Sequence, residues 1–225
     1  MALLLRRAFS SRSRSLQLAG SSVLHTTSSP VALPQPDDRR ADLQSLLDDM
    51  TAVLEESDGM GLSAPQLGVP LRLFMIARGT GARRRSRRLA RDEHGSMPDG
   101  HRRPPRIMVN PRIVKASRAW SVGWETCLSV PDYGALVVRP SRLEVEYERV
   151  DGTRVARVLA GDRARVFHHE LDHLDGILFT ARMFAPSFAH VSQLQSAHAK
   201  AALEELFVQD LQRQHEEVEG SLNSS

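Results

Sequence analysis

Apolar positions along this chain follow two rhythms, and each change of rhythm marks an element. From 42 to 57, Leu43, Leu46, Leu47, Met50, Val53 and Leu54 recur at the i, i+3, i+4, i+7 spacing that lines one face of an α-helix. Asp58-Gly59 then supplies a stop. The stretches 71–77, 106–110, the surroundings of Val114, 143–150 and 153–160 are short, rich in β-branched residues or alternating, and predict strands. Asp151-Gly152 predicts a two-residue hairpin turn between the last two. Helical spacing returns from 162 to 174, where Ala164, Phe167, Leu171 and Leu174 would form a buried face. A last helix is predicted from 187 to 218. Cys127 falls between strands. Runs of strands followed by helices predict an α+β fold rather than a parallel α/β one. Its antiparallel strands would pack around the 162–174 helix, with one amphipathic helix at the N-terminal end and another at the C-terminal end.

Charge divides the 225 residues further. The net charge of +3 is unevenly spread: residues 1–20 hold four arginines and no acid, and residues 79–106 hold nine arginines against three acids. Taking those +4 and +6 away from the total leaves −7 for the rest. The basic residues therefore sit in two detachable segments on an acidic body. The first, rich in Arg, Ser and Leu, has the composition of an organelle transit peptide, mitochondrial in type. The second is nearly free of apolar residues and predicts a disordered insertion, with RNA contact as one use of its charge. Three segments result: 1–20 as a transit peptide, 21–185 as the main domain with the insertion, and 186–225 as a terminal helix and tail. No run of apolar residues is long enough to insert in a membrane, and nothing points to DNA.

The candidate chemistry centres on HHELDH. His169 and His173 stand four apart on a predicted helix, which turns both imidazoles the same way, and Glu170 lies beside any metal they would hold. A carboxylate so placed can take a proton from water and return it to a leaving amine. On its own this pattern also fits a general metallopeptidase, or a surface helix with satisfied histidines. Cys127 is the only cysteine. It excludes a disulfide framework, and is either a buried apolar residue or a thiolate completing a His, His, Cys set. GMGLSAPQ, residues 59–66, adds two glycines that let backbone approach a ligand and a glutamine whose amide can donate to developing negative charge.

GMGLSAPQ, ETCLS and HELDH together, in that order, resemble the three signature motifs of the peptide deformylases, and the likeness covers residues 21–185 around the insertion. The resemblance implies Cys127, His169 and His173 as ligands of Fe²⁺, with Zn²⁺ or another divalent metal also acceptable to such a donor set. It implies Glu170 as general base and acid, and Gln66 with the backbone N–H of Leu128 as the oxyanion hole. The backbone of Gly61 would hold the substrate, Glu125 would pair with Arg139, and Asp172 would orient a ligand. The implied reaction removes the formyl group from N-formylmethionyl nascent peptides in an organelle, releasing formate, with the organellar ribosome as a second partner. Three positions depart from the family pattern: Thr126 replaces a glycine, His168 a glutamine and Ser63 an alanine. Thr126 is expected to crowd the cysteine and the oxyanion amide, and to be strained if its backbone needs φ > 0. A deformylase-like ribosome-associated module of weak or altered activity is the alternative these departures leave open.

Overall fold

The computed structural model describes residues 14–33, 37–57, 59–78, 104–196 and 200–210. Residues 1–13 of the expected transit peptide, nearly all of the basic insertion, Asp58 and the end of the last predicted helix lie outside the described residues. Helix α1 spans Asp37–Ser57. Five strands, β1 (Gly61–Ser63), β2 (Leu73–Ile76), β3 (Arg106–Ala116), β6 (Arg142–Glu148) and β7 (Arg154–Ala160), make an antiparallel sheet in the order β1-β2-β3-β6-β7. A second antiparallel sheet is β4 (Trp120–Cys127), β5 (Val130–Pro140) and β8 (Ala189–His190), in the order β4-β5-β8. Helix α2 spans Asp162–Leu174, and residues 200–210 form α3. The fold is α+β with antiparallel sheets and few helices.

The apolar run of β2 shows why these layers form. Leu73 and Met75 pack with Leu46, Met50 and Leu54 of α1, whereas Phe74 between them packs with Phe167 and Leu171 of α2. Successive side chains on a strand point to opposite faces, so a continuously apolar strand needs a cover on each side. Phe74 meets Phe167 edge-on at 5.2 Å. Beyond this sheet, α2 also touches β5 of the smaller one, where Cys127, Val130, Ala135 and Val137 form a third cluster with Leu24 and Phe179.

Four expectations change. Helix α1 starts at Asp37, before 42, because its first turn is polar and carries no periodic signal. Cys127 does not lie between strands but ends β4, a strand whose pattern Gly123 interrupts. The turn after β6 is longer than two residues: the Arg149 amide bonds the Thr153 carbonyl, and Gly152 adopts φ +83 inside the loop. Residues 187–196 form no α-helix, only single 3₁₀ turns at Ala185–Ser187 and Gln193–Gln195. Pro186 interrupts the segment, β8 pairs with Tyr133 and Gly134, and Phe188 stacks on Tyr133 at 4.9 Å. Pairing to a sheet edge there outweighs a weak helical period.

The segment 14–20, assigned from composition to the transit peptide, lies against the domain. Leu16 packs on the first cluster, and the amides of Gln17 and Ala19 bond carbonyls of the body. Residues 14–20 are thus packed and hydrogen-bonded with the body of the protein. Among the described residues no helix is long and apolar enough to cross a membrane.

Candidate active site

Helix α2 brings Glu170 and His173, 3 % and 1 % exposed, into the interior. The i, i+4 spacing sets the rings of His169 and His173 edge to face at 5.1 Å. Facing them is the end of β4, where the pairing with β5 slips between Thr126 and Cys127 and Asp132 takes φ +66. Cys127 Sγ lies 3.2 Å from His173 Nε2, and the donor atoms of Cys127, His169 and His173 all lie within 4.8 Å of one another. The three residues expected as ligands thus converge.

Glu125, two residues before Cys127 on the same strand face, fixes the orientation of His169. Its Oε2 lies 2.9 Å from His169 Nδ1, which leaves Nε2 as the ring nitrogen for Cys127 and for a metal. Arg139 donates to both oxygens of Glu125 at 2.9 Å, and Arg165 donates to Oε1 at 3.0 Å. Arg139 is 1 % exposed, so its ion pair is a buried one and not a surface contact. Asp172 does not orient a ligand directly, as expected of it. It binds Arg139 and is clamped by Arg182 at 2.7 and 2.8 Å, so it reaches His169 only through Arg139 and Glu125.

The charges respond to this packing. Burial pushes the Cys127 thiol up, but the imidazoles of His173 and His169 outweigh it and hold the thiol well below its ordinary range. Burial pulls His169 down, yet its contacts with Cys127 and Glu125 leave it well above an ordinary histidine. Glu125 stays well below the usual carboxylate range, because Arg139 and His169 outweigh its burial. Glu170 moves the other way: burial pushes it up to about 7, and its Oε2 has no hydrogen-bond partner among the described residues. That value suits a group that must both accept and return a proton near neutrality. A Cβ on Gly61 would stand 2.3 Å from Glu170 Oε1, so this carboxylate requires glycine on the neighbouring strand.

Gln66 sits in the 3₁₀ turn Ala64–Leu67 between β1 and β2, fully enclosed. Its Oε1 accepts from the backbone amide and hydroxyl of Ser63 at 2.9 and 3.0 Å. Nε2 is thereby turned toward Cys127 Sγ, at 3.4 Å, and Ser129 Oγ, at 3.2 Å. Leu128 follows Cys127 in the turn into β5, and Gly61 lies on β1, the edge of the larger sheet. Ser129, Arg165 and Arg182 were not anticipated. Arg165 had a signal, since it stands one helical turn before His169. Its guanidinium also bonds the carbonyls of Ser121 and Val137, tying both strands to α2.

The departures prove mild in backbone terms. Thr126 is not among the non-glycine residues of positive φ, and strand alternation turns it away from Glu125 and Cys127 toward solvent. Its Cγ2 lies beside Gly134, where a Cβ would come within 3.0 Å. The expected crowding of the cysteine is absent. Burial, and after it Arg139, push His168 below an ordinary histidine, and its Nε2 stands 3.9 Å from Asp172.

A thiolate donor and two helix-borne imidazoles beside a buried, proton-ready glutamate define a metal-dependent hydrolase. A family model described as polypeptide deformylase matches residues 14–187, and the chain belongs to this family of enzymes acting on N-formylmethionyl peptides. Peptide deformylase 2 of Nostoc sp. is 38 % identical over 143 residues, covering 64 % of this chain and 73 % of the relative. The chloroplastic peptide deformylase 1B of Oryza sativa is 38 % identical over 141 residues, covering 63 % of this chain and 46 % of the relative. A class I type b peptide deformylase of Acinetobacter baumannii, in a Met-Ala-Ser complex, superposes with a TM-score of 0.62 at 31 % identity, covering 76 % of this chain and 98 % of that one.

Proposed function

We propose that this chain removes the N-formyl group from the initiator methionine of newly made organellar proteins, leaving formate and a free amino terminus. The observation that carries this reading is the meeting of Cys127, His169 and His173 with Glu170 and Gln66 at one buried point. The donor set fits a divalent metal: an ionisable thiolate, one imidazole with Nδ1 already held by Glu125, and a second with Nε2 facing the sulfur. Fe²⁺ is our first assignment and Zn²⁺ the second. Bound there, the metal would supply a Lewis acid and a more acidic water.

The chain's own groups do the rest. Glu170 takes the proton of the attacking water as its oxygen bonds the formyl carbon. Gln66 Nε2, aimed by Ser63, and the Leu128 amide receive the charge that develops on the formyl oxygen. Glu170 then delivers its proton to the methionine nitrogen as the C–N bond breaks. The edge of β1 at Gly61 offers backbone groups to an extended peptide. Met-Ala-Ser, bound by the Acinetobacter relative, has the methionine-first sequence that the product of this reaction would have. The presence of Cys127 and Gln66 in the site favours this chemistry over a general peptidase read from HELDH alone.

The arginine-rich, acid-free start of the chain and the chloroplastic relative support an organellar address, and we assign the mitochondrion. The leader would then end before Arg14 rather than at residue 20. The test is formate release from a formylmethionyl peptide by iron-loaded protein, with an acetylated peptide as control. Gln66→Ala should retain metal and lose roughly 10²- to 10³-fold in kcat. Glu170→Gln should retain metal and lose activity. Formate release no faster than that of free metal in all three proteins would overturn the reading.

A further inference from the structure

Residues 14–20 do more than cover the surface. Arg14 anchors the segment to α1 through Asp49, at 2.6 Å, and Ser45, at 3.2 Å. The Gln17 amide then donates to the carbonyl of Gln66 at 2.8 Å, and the Ala19 amide to the carbonyl of Ser129 at 2.7 Å. The two donors are only two residues apart, at the entry to a turn closed by the Ser21 amide on the Leu18 carbonyl, so one short stretch grips both carbonyls. Ser21 Oγ donates to Gln17 Oε1 at 2.8 Å, and Gln17 Nε2 to the Ser15 carbonyl at 3.1 Å, which holds the shape of the stretch. Beyond it, Leu24 is buried in the cluster that contains Cys127.

The two gripped residues belong to different bodies. Gln66 lies on the turn between β1 and β2 of the larger sheet, whereas Ser129 lies on the turn between β4 and β5 of the smaller one. Their side chains also meet, Gln66 Nε2 to Ser129 Oγ at 3.2 Å, so the two turns are joined both by these side chains and, through their carbonyls, by the strap. Leu128, the second oxyanion donor of the proposed reaction, is the neighbour of Ser129. We propose that Gln17–Ala19 is a positioning clamp that sets the separation between the Gln66 carboxamide and the Leu128 amide. The clamp rests on the deformylase reading. Misplacing a catalytic donor by about 1 Å can cost on the order of 10²-fold in rate, so two backbone hydrogen bonds suffice to matter.

Gln17→Pro and Ala19→Pro each delete one of these amides in the full chain. In iron-loaded protein each should lower kcat by at least ~10-fold, with KM and metal content within about twofold of wild type. The discriminating measurement is a double-mutant cycle: in a Gln66→Ala background the effect of Gln17→Pro should shrink to within about twofold, because the donor it positions is gone. If the proline variants do not fold, the double variant Gln17→Gly/Ala19→Gly keeps both amides while loosening the strap. It should lose at least about threefold in kcat, again only when Gln66 is present. An unchanged kcat, or the same loss in both backgrounds, overturns the clamp while leaving an active wild type as a deformylase. A wild type no better than free metal overturns the functional reading and the clamp with it. A mature amino terminus mapped by mass spectrometry after Ala19 would overturn the clamp alone.

Discussion

Thr126 shows how a side chain's direction decides what a substitution means. A β-branched residue beside a ligand cysteine reads as an obstruction in sequence, but strand alternation sends it to the opposite face, against Gly134. Thr126→Gly should therefore leave kcat and metal content within about twofold of wild type. It should lower stability by roughly 0.5–1 kcal/mol, the usual entropic penalty of a strand glycine, and a thermal melt beside a formate assay would decide. Glu125 is the opposite case, a residue whose charge matters more than its shape. Its carboxyl group is held low in the folded state, so it contributes stability that is present above its ordinary pKa of 4.5 and is lost as pH falls toward the folded value. Glu125→Gln should be less stable than wild type at pH 7, and the gap should close on acidification below about 4.5, read from urea midpoints against pH. A gap independent of pH would show that the amide fails for want of fit.

At the level of elements, legibility followed the range of the interaction. His169, Glu170 and His173 were readable because a helix converts spacing of four into a shared direction, and no other part of the molecule is needed to see it. The strands β4 and β5 were not, since Gly123, Pro131 and Gly134 break the alternation and only their mutual pairing makes them strands. The strap at 14–20 was hidden for a different reason. It acts through backbone amides, which every residue but proline carries, so its side chains announce nothing, and its one arginine, Arg14, points to targeting instead. Arg165 and Arg182 were likewise ordinary charges until α2 and the turn after it brought them to Glu125 and Asp172, beside the Arg139 that the motif resemblance already pairs with Glu125. Buried ion pairs of this kind depend on complete pairing. Leaving one carboxylate uncompensated costs on the order of 3–5 kcal/mol.

On the scale of the whole molecule, the donors come from two packed bodies: the thiolate ends a strand of the small sheet, and the imidazoles belong to a helix seated on the large one. A metal held by all three would bind the native arrangement and not the unfolded chain, so it should stabilise the fold. At a hundredfold excess over Kd the gain is about 2.7 kcal/mol, and for a chain of this size the melting temperature should rise by several degrees. A chelator should reverse the rise, and Cys127→Ala should abolish it; a rise that survives in that variant would place the ion elsewhere. The same geometry fixes when a metal would be chosen. Cys127 and His173 are 46 residues apart, so no binding site exists in an extended chain. A chain that enters an organelle unfolded arrives with its ligands scattered. On the proposed organellar address, the ion would therefore be selected from the pool of the compartment where folding ends, not from that of the compartment where translation occurs.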